Sequence, residues 1–386
     1  MDCSLNGICN VTNGECMCNK QWKGNRCQLL NLGKVSKNNF TDYGFNEIGS
    51  SSWGGTNIYD KTNDMYHMFI SYFPKNCGHI ADTMNSHVHQ TILNSNDNVY
   101  GPYKLYNQIA LEWSHEPYIT NVPNTDIYVL YYSYANNAPY WPILCDCNAL
   151  NNGVSNGTTP EICCADTPNA CSYSLPTNIT RHMTVMQYTH NLMDKNSWSD
   201  INILWPYRQS GDTSNSDTNF VCKIFNNGSL YGLSRKHNQN GTNIIYPVTA
   251  LNWNDTDNYT EYFDINLFPQ WSYRGNEDPF LYNDINGNYH LLFHNEIPDP
   301  GHDQFFAGAH AASYDGFNWV YFGYAYDTNI TFDDNTYEIL YSRERPHLVF
   351  DKDGVTPLAL INGALYKGNV YGNDRSFTFI QPINQH

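Results

Sequence analysis

The sequence contains few basic residues and no long hydrophobic run. Its 20 lysines and arginines are outnumbered by 37 aspartates and glutamates, so that the net charge is −17. Such a surface repels phosphate backbones and anionic membranes, and we expect no nucleic-acid partner. Because no apolar run reaches about 18 residues, no membrane-spanning helix is predicted.

A helical repeat is missing as well, since no stretch keeps an apolar period of about 3.6 residues. Alternating runs with frequent Tyr, Phe and Val, bounded by Gly and Asn, predict an almost entirely β protein. The chain does not begin with a signal peptide. Its 12 cysteines nevertheless indicate an oxidising compartment, and we expect a secreted, extracellular protein whose leader peptide is absent from this chain.

One strand–turn–strand unit occurs five times. Each unit has an apolar run, a turn rich in Asn, Asp or Gly, and a second apolar run. The units cover residues 58–70, 118–132, 220–233, 277–294 and 346–361. A third apolar run follows four of them, at residues 87–93, 182–188, 244–248 and 308–312. The repetition predicts a five-bladed β-propeller over residues 31–386, since a two-sheet sandwich leaves the acidic residue before the inner strands unexplained.

Five cysteines lie near the start of the chain, namely Cys3, Cys9, Cys16, Cys18 and Cys27. Their frame resembles an EGF-like module of the short tenascin type over residues 1–30, with the first cysteine missing. The resemblance implies that Cys3 pairs with Cys16 and Cys18 with Cys27, which leaves Cys9 without its usual partner. A zinc site is the alternative, but no nearby histidine or further cysteine pair completes a tetrahedral ligand set.

Seven other cysteines have no assigned pairing, namely Cys77, Cys145, Cys147, Cys163, Cys164, Cys171 and Cys222. Five of them cluster in an insertion at about residues 138–181 that is rich in Asn, Gly, Thr and Pro. Such a segment has too little apolar content to pack by itself, so cross-links replace a core there. A stapled surface insertion and a recognition loop over the central pocket are both compatible with this pattern.

Asn-x-Ser/Thr sequences predict N-glycosylation at several positions, most of them in expected turns between strands. These positions are Asn10, Asn39, Asn156, Asn178, Asn227, Asn240, Asn254, Asn258 and Asn329.

Three motifs connect the predicted propeller with a known group of enzymes. They are Glu-Asp-Pro-Phe-Leu-Tyr at residues 277–282, Ser-Tyr-Asp-Gly-Phe-Asn-Trp at 313–319 and Arg-Glu-Arg-Pro-His-Leu-Val-Phe-Asp at 343–351. In blade order, over roughly residues 50 to 365, the chain resembles the five-bladed propeller glycoside hydrolases of families 43, 32 and 117. The resemblance implies an axial funnel in which an aspartate base, a second aspartate and a glutamate acid surround the glycosidic bond. Inverting hydrolysis requires two carboxyl groups about 6.5 to 9.5 Å apart.

The chain departs from this pattern in its first blade. The resemblance implies an Asp-Pro pair that holds the base, but the chain reads Ser-Ser-Trp-Gly-Gly-Thr-Asn over residues 51–57. No carboxylate is present at that point. The fold and a working enzyme are therefore separate questions for this chain.

The remaining blade openings supply the candidate site residues. The candidate catalytic carboxylates are Glu116, Glu277, Asp278 and Glu344. The candidates for substrate binding or proton transfer are Trp53, His115, His294, His302, His310, Arg343 and Arg345. Each has a structural alternative: the acids as acceptors for backbone donors, the arginines as a buried ion-pair network, and the histidines and Trp53 as packing residues.

Two functions follow as expectations. One is a secreted glycosidase that acts on a neutral or weakly charged glycan through carboxylate acid/base chemistry. The other is a catalytically silent propeller that binds glycans or self-assembles into an extracellular matrix, coat or filament. No cofactor is required by either function. Calcium at the axis is a further expectation because several carboxylates converge there, although no calcium-loop motif is present.

Overall fold

The structure is a computed structural model and consists almost entirely of β-strands. Within the part of the chain that it describes there are twenty-five strands, β1–β25, and no α-helix. The described residues are 2–74, 78–79, 86–93, 98–110, 113–135, 183–205, 215–237, 243–268, 275–295, 307–366 and 376–385. Among them, no helix has the length and apolar character needed to cross a membrane.

The strands from β6 onward form five antiparallel sheets, each built from consecutive strands. Blade I contains β6 (Ser51–Asp60), β7 (Met65–Phe73), β8 (His87–Leu93) and β9 (Tyr103–Ala110). Blade II contains β10 (Ser114–Asn121), β11 (Tyr128–Tyr134), β12 (Met183–Thr189) and β13 (Asn202–Trp205). Blade III contains β14 (Asn215–Ile224), β15 (Leu230–His237), β16 (Asn243–Ala250) and β17 (Thr260–Glu261).

The last two blades complete the ring. Blade IV contains β18 (Asn276–Asn283), β19 (Tyr289–Asn295), β20 (Ala307–Ser313) and β21 (Trp319–Tyr326). Blade V contains β22 (Asn329–Thr331), β23 (Tyr337–Phe350), β24 (Pro357–Tyr366) and β25 (Ser376–Pro382). The predicted five-bladed propeller is confirmed, with its five repeated units and their third strands, and the sandwich alternative is excluded.

Aspartates in the hairpin turns hold the first two strands of blades I and IV together. The Asp60 carboxylate accepts a hydrogen bond from the backbone of Thr62 at 2.9 Å, in a turn stabilised by the aspartate side chain. Its other oxygen lies 3.5 Å from Nε2 of His67 on the second strand. Asp284 and His290 make the same pair in blade IV at 3.6 Å. The repeat is thus visible in buried polar contacts as well as in the apolar pattern.

Aromatic residues fill the space between neighbouring blades. Tyr131 of blade II meets Phe220 of blade III edge to face, with ring centres 5.0 Å apart, and Trp205 meets Phe220 at the same distance. All three side chains are buried. Such edge-to-face pairs stabilise contacts beyond their buried area, which explains why a sequence rich in Tyr and Phe suits a ring of packed sheets.

An N-terminal strand completes blade V. The short strand β5 (Gly44–Phe45) pairs with β25, with Phe45 opposite Thr378 and Gly44 opposite Phe379. A Cβ atom at Gly44 would collide with the carbonyl oxygen of Thr378, so only glycine permits this approach. The hydroxyl oxygen of Ser52, in blade I, accepts a hydrogen bond from the backbone of Thr378 at 2.8 Å. The chain therefore closes the ring by joining its beginning to its last blade.

The two ends of the propeller lie side by side. Leu32 forms an isolated antiparallel bridge with Ile383. The backbone of Gly33 donates to the carbonyl of Pro382 at 2.7 Å. The backbone of Asn384 donates to Asn31 at 2.8 Å. We call these contacts, between residues 31–33 and 382–384, the terminal clasp.

The N-terminal segment is a small disulfide-linked module. It contains β1 (Gly7–Cys9), β2 (Cys16–Cys18), β3 (Trp22–Lys23) and β4 (Leu29–Leu30). The predicted disulfides Cys3–Cys16 and Cys18–Cys27 are both present. Among the described cysteines, Cys9 and Cys222 are free.

This module packs against blade IV. The ring of Trp22 lies 4.7 Å from the ring of His310, and the Arg26 guanidinium lies 5.4 Å from the centre of Phe322. Trp22 is only 6% exposed, so blade IV buries it almost completely.

Several predictions fall outside the described residues. They concern the insertion at 138–181, Cys77, His302 and the glycosylation sites Asn156, Asn178 and Asn240. The six other predicted glycosylation sites are exposed or partly exposed, and glycosylation there remains a prediction.

Candidate active site

The innermost strand of each blade carries a bulge. At these bulges the pairing with the second strand is interrupted, and one residue adopts a left-handed backbone with positive φ. The five residues are Gly54, Glu116, Asn219, Asp278 and Arg345, with φ between 51° and 65°. Bulges re-aim side chains and occur beside active sites. We call these five equivalent positions the axial ring.

Sequence chemistry explains three of the bulges. A proline follows Glu116, Asp278 and Arg345, and proline cannot donate a hydrogen bond to a β-ladder. A left-handed backbone costs a non-glycine residue about 1–2 kcal/mol. Contacts of the side chains must therefore compensate for this cost at the four ring positions that are not glycine.

The ring side chains bind one another. Arg345 forms an ion pair with Glu116, and its Nε lies 3.5 Å from Oδ1 of Asp278. The side-chain amide of Asn219 donates to Asp278, and its backbone N–H donates to Glu116 Oε2 at 3.0 Å. Ser133 donates to the same oxygen of Glu116 at 3.2 Å. Ion pairs and charge-assisted hydrogen bonds thus connect the four side chains of the ring.

Blade I contributes no side chain to this ring. A Cβ atom at Gly54 would lie 2.8 Å from Cδ and 3.0 Å from Cβ of Arg345. Arg345 therefore occupies the space into which a side chain at position 54 would project. Gly54 is the blade I counterpart of Glu116 and Asp278. It is therefore the position at which the carboxylate expected in the first blade is missing.

A second cluster is built around Glu277 and Glu344, which directly precede the ring residues of blades IV and V. Nδ1 of His294 is 3.2 Å from Glu277, 3.8 Å from Glu344 and 4.0 Å from Asp278. One ligand atom of each of these four residues lies within 4.8 Å of those of the other three. Arg235, from blade III, forms an ion pair with Glu277. Three carboxylates thus share one histidine and two arginines.

The acids of this cluster differ in their pKa values. Burial disfavours the charged form of Glu277, but Arg235 and His294 outweigh it and hold the pKa of Glu277 well below its ordinary value. Burial raises the pKa of Asp278 to about 7, since Arg345 offsets it only in part and Glu277 adds to it. Burial also raises the pKa of Glu344. Near neutral pH, Glu277 is therefore ionised while Asp278 titrates.

His294 is the positive partner of these acids. Burial alone would lower the pKa of His294, but the Glu344 and Glu277 carboxylates outweigh burial and raise it to about 10. The imidazolium therefore persists at neutral pH. Calcium takes 6–8 oxygen ligands, many of them carboxylates. Because His294, Arg235 and Arg345 already neutralise the carboxylates, the cluster fits calcium poorly, and an axial ion remains only a prediction.

The other predicted site residues divide into two groups. Trp53 is 2% exposed and lines a cavity beside the axial ring. The centre of its indole lies 4.1 Å from that of the His79 imidazole, so Trp53 forms part of the wall of the site. Nε2 of His115 lies 3.8 Å from Glu116 Oε1, behind the ring.

Arg343 and His310 were predicted to bind substrate or transfer protons at the axial funnel. The structure corrects this prediction, because neither side chain lies at the axis. The Arg343 guanidinium is fully buried and donates to Asn362 at 3.0 and 3.2 Å, because it projects to the other side of its strand from Glu344. His310 lies on the third strand of blade IV, where its Nε2 is 3.0 Å from Nδ1 of His290 and its ring packs on Trp22.

The structure adds residues that the sequence did not single out as site residues. Asn219 and Gly54 complete the ring, and Arg235 holds Glu277. A signal for Asn219 exists, since it precedes the buried run of β14 as Asp278 precedes that of β18. The cavity beside the ring has a volume of about 50 Å³, which is room for only a few water molecules. The ring thus forms a floor across the axis.

Comparisons with known proteins agree with this architecture. A family model of the EGF-like domain matches residues 1–27. A comparison with curated proteins gives no match. Among solved structures, the catalytic domain of the Coprinopsis cinerea GH62 α-L-arabinofuranosidase is 10% identical with a TM-score of 0.53, and the match covers 91% of this chain and 94% of that one. The propeller of this chain is thus similar in fold to that of this enzyme.

Two further structures with this fold are similar. A thermostable family-43 glycoside hydrolase is 11% identical with a TM-score of 0.50, covering 86% of this chain and 89% of that one. An exo-1,5-α-L-arabinanase from a bovine ruminal metagenomic library is 11% identical with a TM-score of 0.52, covering 88% and 98%. At such low identity the likeness concerns the fold alone, so the chemistry of this glycoside-hydrolase-like propeller must come from its own residues.

Proposed function

We propose that the chain is a secreted, glycan-binding β-propeller whose axial carboxylates do not hydrolyse a glycosidic bond. The observation that carries this proposal is Gly54. Blade I offers no side chain there, and Arg345 fills the space while it binds Glu116 and contacts Asp278. These two carboxylates therefore face a guanidinium.

The spacing of the other acids supports the same conclusion. Inverting hydrolysis needs a water and a sugar between two carboxyl groups about 6.5–9.5 Å apart. Ligand atoms of Glu277, Asp278 and Glu344 lie within 4.8 Å of one another, with His294 among them. These ligand atoms are therefore closer together than inverting hydrolysis requires.

Binding of a glycan is supported by the fold and by the polar chemistry of the axis. The similar solved structures are named as glycoside hydrolases, arabinofuranosidases and arabinanases. Glu277 and Glu344 remain partly exposed and can accept hydrogen bonds from sugar hydroxyl groups. The two disulfides of the EGF-like module support an extracellular location.

One sample tests binding and turnover together. We expect the purified protein to retain oligosaccharides on a glycan array without releasing reducing ends from the same glycans. Glu344→Gln should weaken retention, whereas Glu338→Gln, outside the ring and cluster, should not. Failure to retain any glycan contradicts the binding proposal. Sedimentation of the sample would also show whether the predicted self-assembly occurs.

A second candidate is glycoside hydrolysis by the cluster itself. The specific observation in its favour is the separation of pKa values between the ionised Glu277 and Asp278, whose pKa is about 7. Such a separation is typical of an acid and a base that work together. Turnover that is abolished by both Glu277→Gln and Asp278→Asn would establish this candidate and refute the silent propeller.

A further inference from the structure

The opposite end of the axis carries another cavity. The innermost strands run from the axial ring toward this end, and Asn121 follows Glu116 by five residues, about 16 Å along the strand. Residues from all five blades line a cavity of about 150 Å³ there. An adjoining cavity of about 530 Å³ shares Asn121, Lys223 and Asn283 with it. We call these two cavities the distal mouth.

Three polar groups at the distal mouth lack partners in the described part of the chain. The hydroxyl of Tyr282 and Oδ1 of Asn283 are buried and make no hydrogen bond. Tyr282 is only 8% exposed. The ammonium group of Lys223, whose side chain is exposed, makes no hydrogen bond or ion pair with any residue that the structure describes. Leaving a buried polar group unpaired costs about 1–3 kcal/mol, so the Tyr282 hydroxyl and Asn283 Oδ1 call for a ligand or ordered water, and Lys223 is an exposed donor beside them.

The orientation of Asn283 is fixed by its surroundings. Its amide nitrogen donates to the carbonyl of Gly287 at 3.1 Å, which leaves Oδ1 as the unpaired acceptor. A ligand here must therefore donate to Asn283, and it can also accept a hydrogen bond from the exposed Lys223. Hydroxyl groups do both, whereas phosphate and carboxylate groups only accept. Asp351, which also lines the cavity, disfavours an anion further.

The size and the walls of the cavity narrow the ligand class. A volume of about 150 Å³ holds roughly ten water-sized groups, comparable to one pyranose ring. Tyr59 and Phe350 line the same cavity and are only partly buried. Aromatic faces pack well against the apolar side of a sugar ring.

We propose that the distal mouth binds a neutral sugar residue, with Lys223, Asn283 and the Tyr282 hydroxyl as its polar contacts and Tyr59 or Phe350 against its apolar face. This site is separate from the carboxylate cluster and does not depend on the function proposed for it. A propeller with both sites would hold glycans at each end of its axis.

Ligand-observed NMR and calorimetry with methyl glycosides of glucose, galactose, mannose, xylose and arabinose test the site on the full chain. We expect at least one glycoside to bind, and Lys223→Gln and Tyr282→Phe each to weaken binding about tenfold, as expected for lost hydrogen bonds within a recognition site. Lys104→Gln and Tyr337→Phe, whose side chains lie elsewhere, are the matched controls. Inorganic phosphate should not compete.

Two outcomes overturn the proposal. The first is that no glycoside of the panel binds, or that the two variants bind as the parent does. The second is that Tyr282→Phe lowers the melting temperature, because this would show an internal partner for the hydroxyl. Asp278→Asn, in the axial ring, separates the sites: glycoside binding that this variant weakens belongs to the ring, whereas binding that Lys223→Gln and Tyr282→Phe weaken belongs to the distal mouth.

Discussion

The five residues of the axial ring share one backbone conformation and differ in their side chains. Glycine, glutamate, asparagine, aspartate and arginine stand at equivalent positions 54, 116, 219, 278 and 345. The chemistry at the axis is therefore decided by which side chain each bulge presents. In this chain, the single arginine binds both carboxylates of the ring and covers the position without a side chain.

Gly54→Ala should destabilise the protein by about 3 kcal/mol. The left-handed backbone costs alanine about 1–2 kcal/mol, and crowding against Arg345 adds a similar amount. Gly287→Ala is the matched control, because Gly287 has φ of +83° but no atom near a Cβ there. Urea denaturation measures both. Equal losses for the two variants would show that Arg345 does not restrict position 54.

The stability of the protein should fall as pH rises from about 6.5 toward 10. The folded state raises the pKa of His294 to about 10, so its stabilisation is complete below the unfolded pKa of about 6.5 and is lost through pH 10. Asp278, whose pKa is raised to about 7, adds to the loss at the lower end of this range.

Denaturation midpoints measured against pH check this expectation. His294→Gln should remove most of the decline above pH 7, while His190→Gln, which changes an exposed histidine, should preserve it. A decline that is the same in both variants would assign it to other groups.

In the sequence, a proline marks the bulge at three of the five ring residues. Glu116 and Asp278 precede proline, and both were predicted. Gly54 precedes Gly55 and Asn219 precedes Phe220, so neither position carries that mark. Arg343 and Arg345 lie on the same strand and look alike in sequence. The bulge after Glu344 decides that only Arg345 reaches the axis, and a bulge depends on pairing with a neighbouring strand.

At the scale of elements, the ring of blades is closed by one short strand from the N-terminal region. β5 has two residues and lies more than 300 positions from its partner β25. Such a strand has no periodicity to detect. The repeated units were predictable, because each is a local hairpin whose alternation and turn residues appear within about fifteen positions.

Ser52→Ala should weaken this closure by about 1–3 kcal/mol. The Ser52 hydroxyl accepts hydrogen bonds from the backbone and the side chain of Thr378, and its loss leaves a buried N–H unpaired. Ser50→Ala, at a partly exposed serine two residues earlier, should cost less than about 0.5 kcal/mol. Thermal unfolding of the two variants gives the comparison. A similar change in both variants would show that the hydrogen bonds between Ser52 and Thr378 do not stabilise the closure of the ring.

At the scale of the whole molecule, charge is divided between the module and the propeller. Residues 1–30 contain three of the 20 basic and two of the 37 acidic residues, which gives a net charge of +1 against −18 for the rest. The opposite signs add a weak attraction to the apolar contact between Trp22 and blade IV. The sequence predicted the module but contained no sign of where it would dock.

Trp22→Ala should release the EGF-like module from blade IV. The substitution removes a large buried ring that packs on His310, and truncations of this kind cost about 3–5 kcal/mol. Small-angle scattering should show a larger radius of gyration, with the disulfides intact. Met17→Ala, at a side chain that is 57% exposed on the same module, should leave the radius unchanged. An unchanged radius in the tryptophan variant would mean that other contacts hold the module.

The terminal clasp has a mechanical consequence. Residues 31–33 are hydrogen-bonded directly to residues 382–384. A pulling force applied between the two ends of the propeller would therefore load this junction first, and the blades would carry no tension until the clasp gave way. The propeller would therefore stay rigid under load, and both ends of its axis would keep their shape.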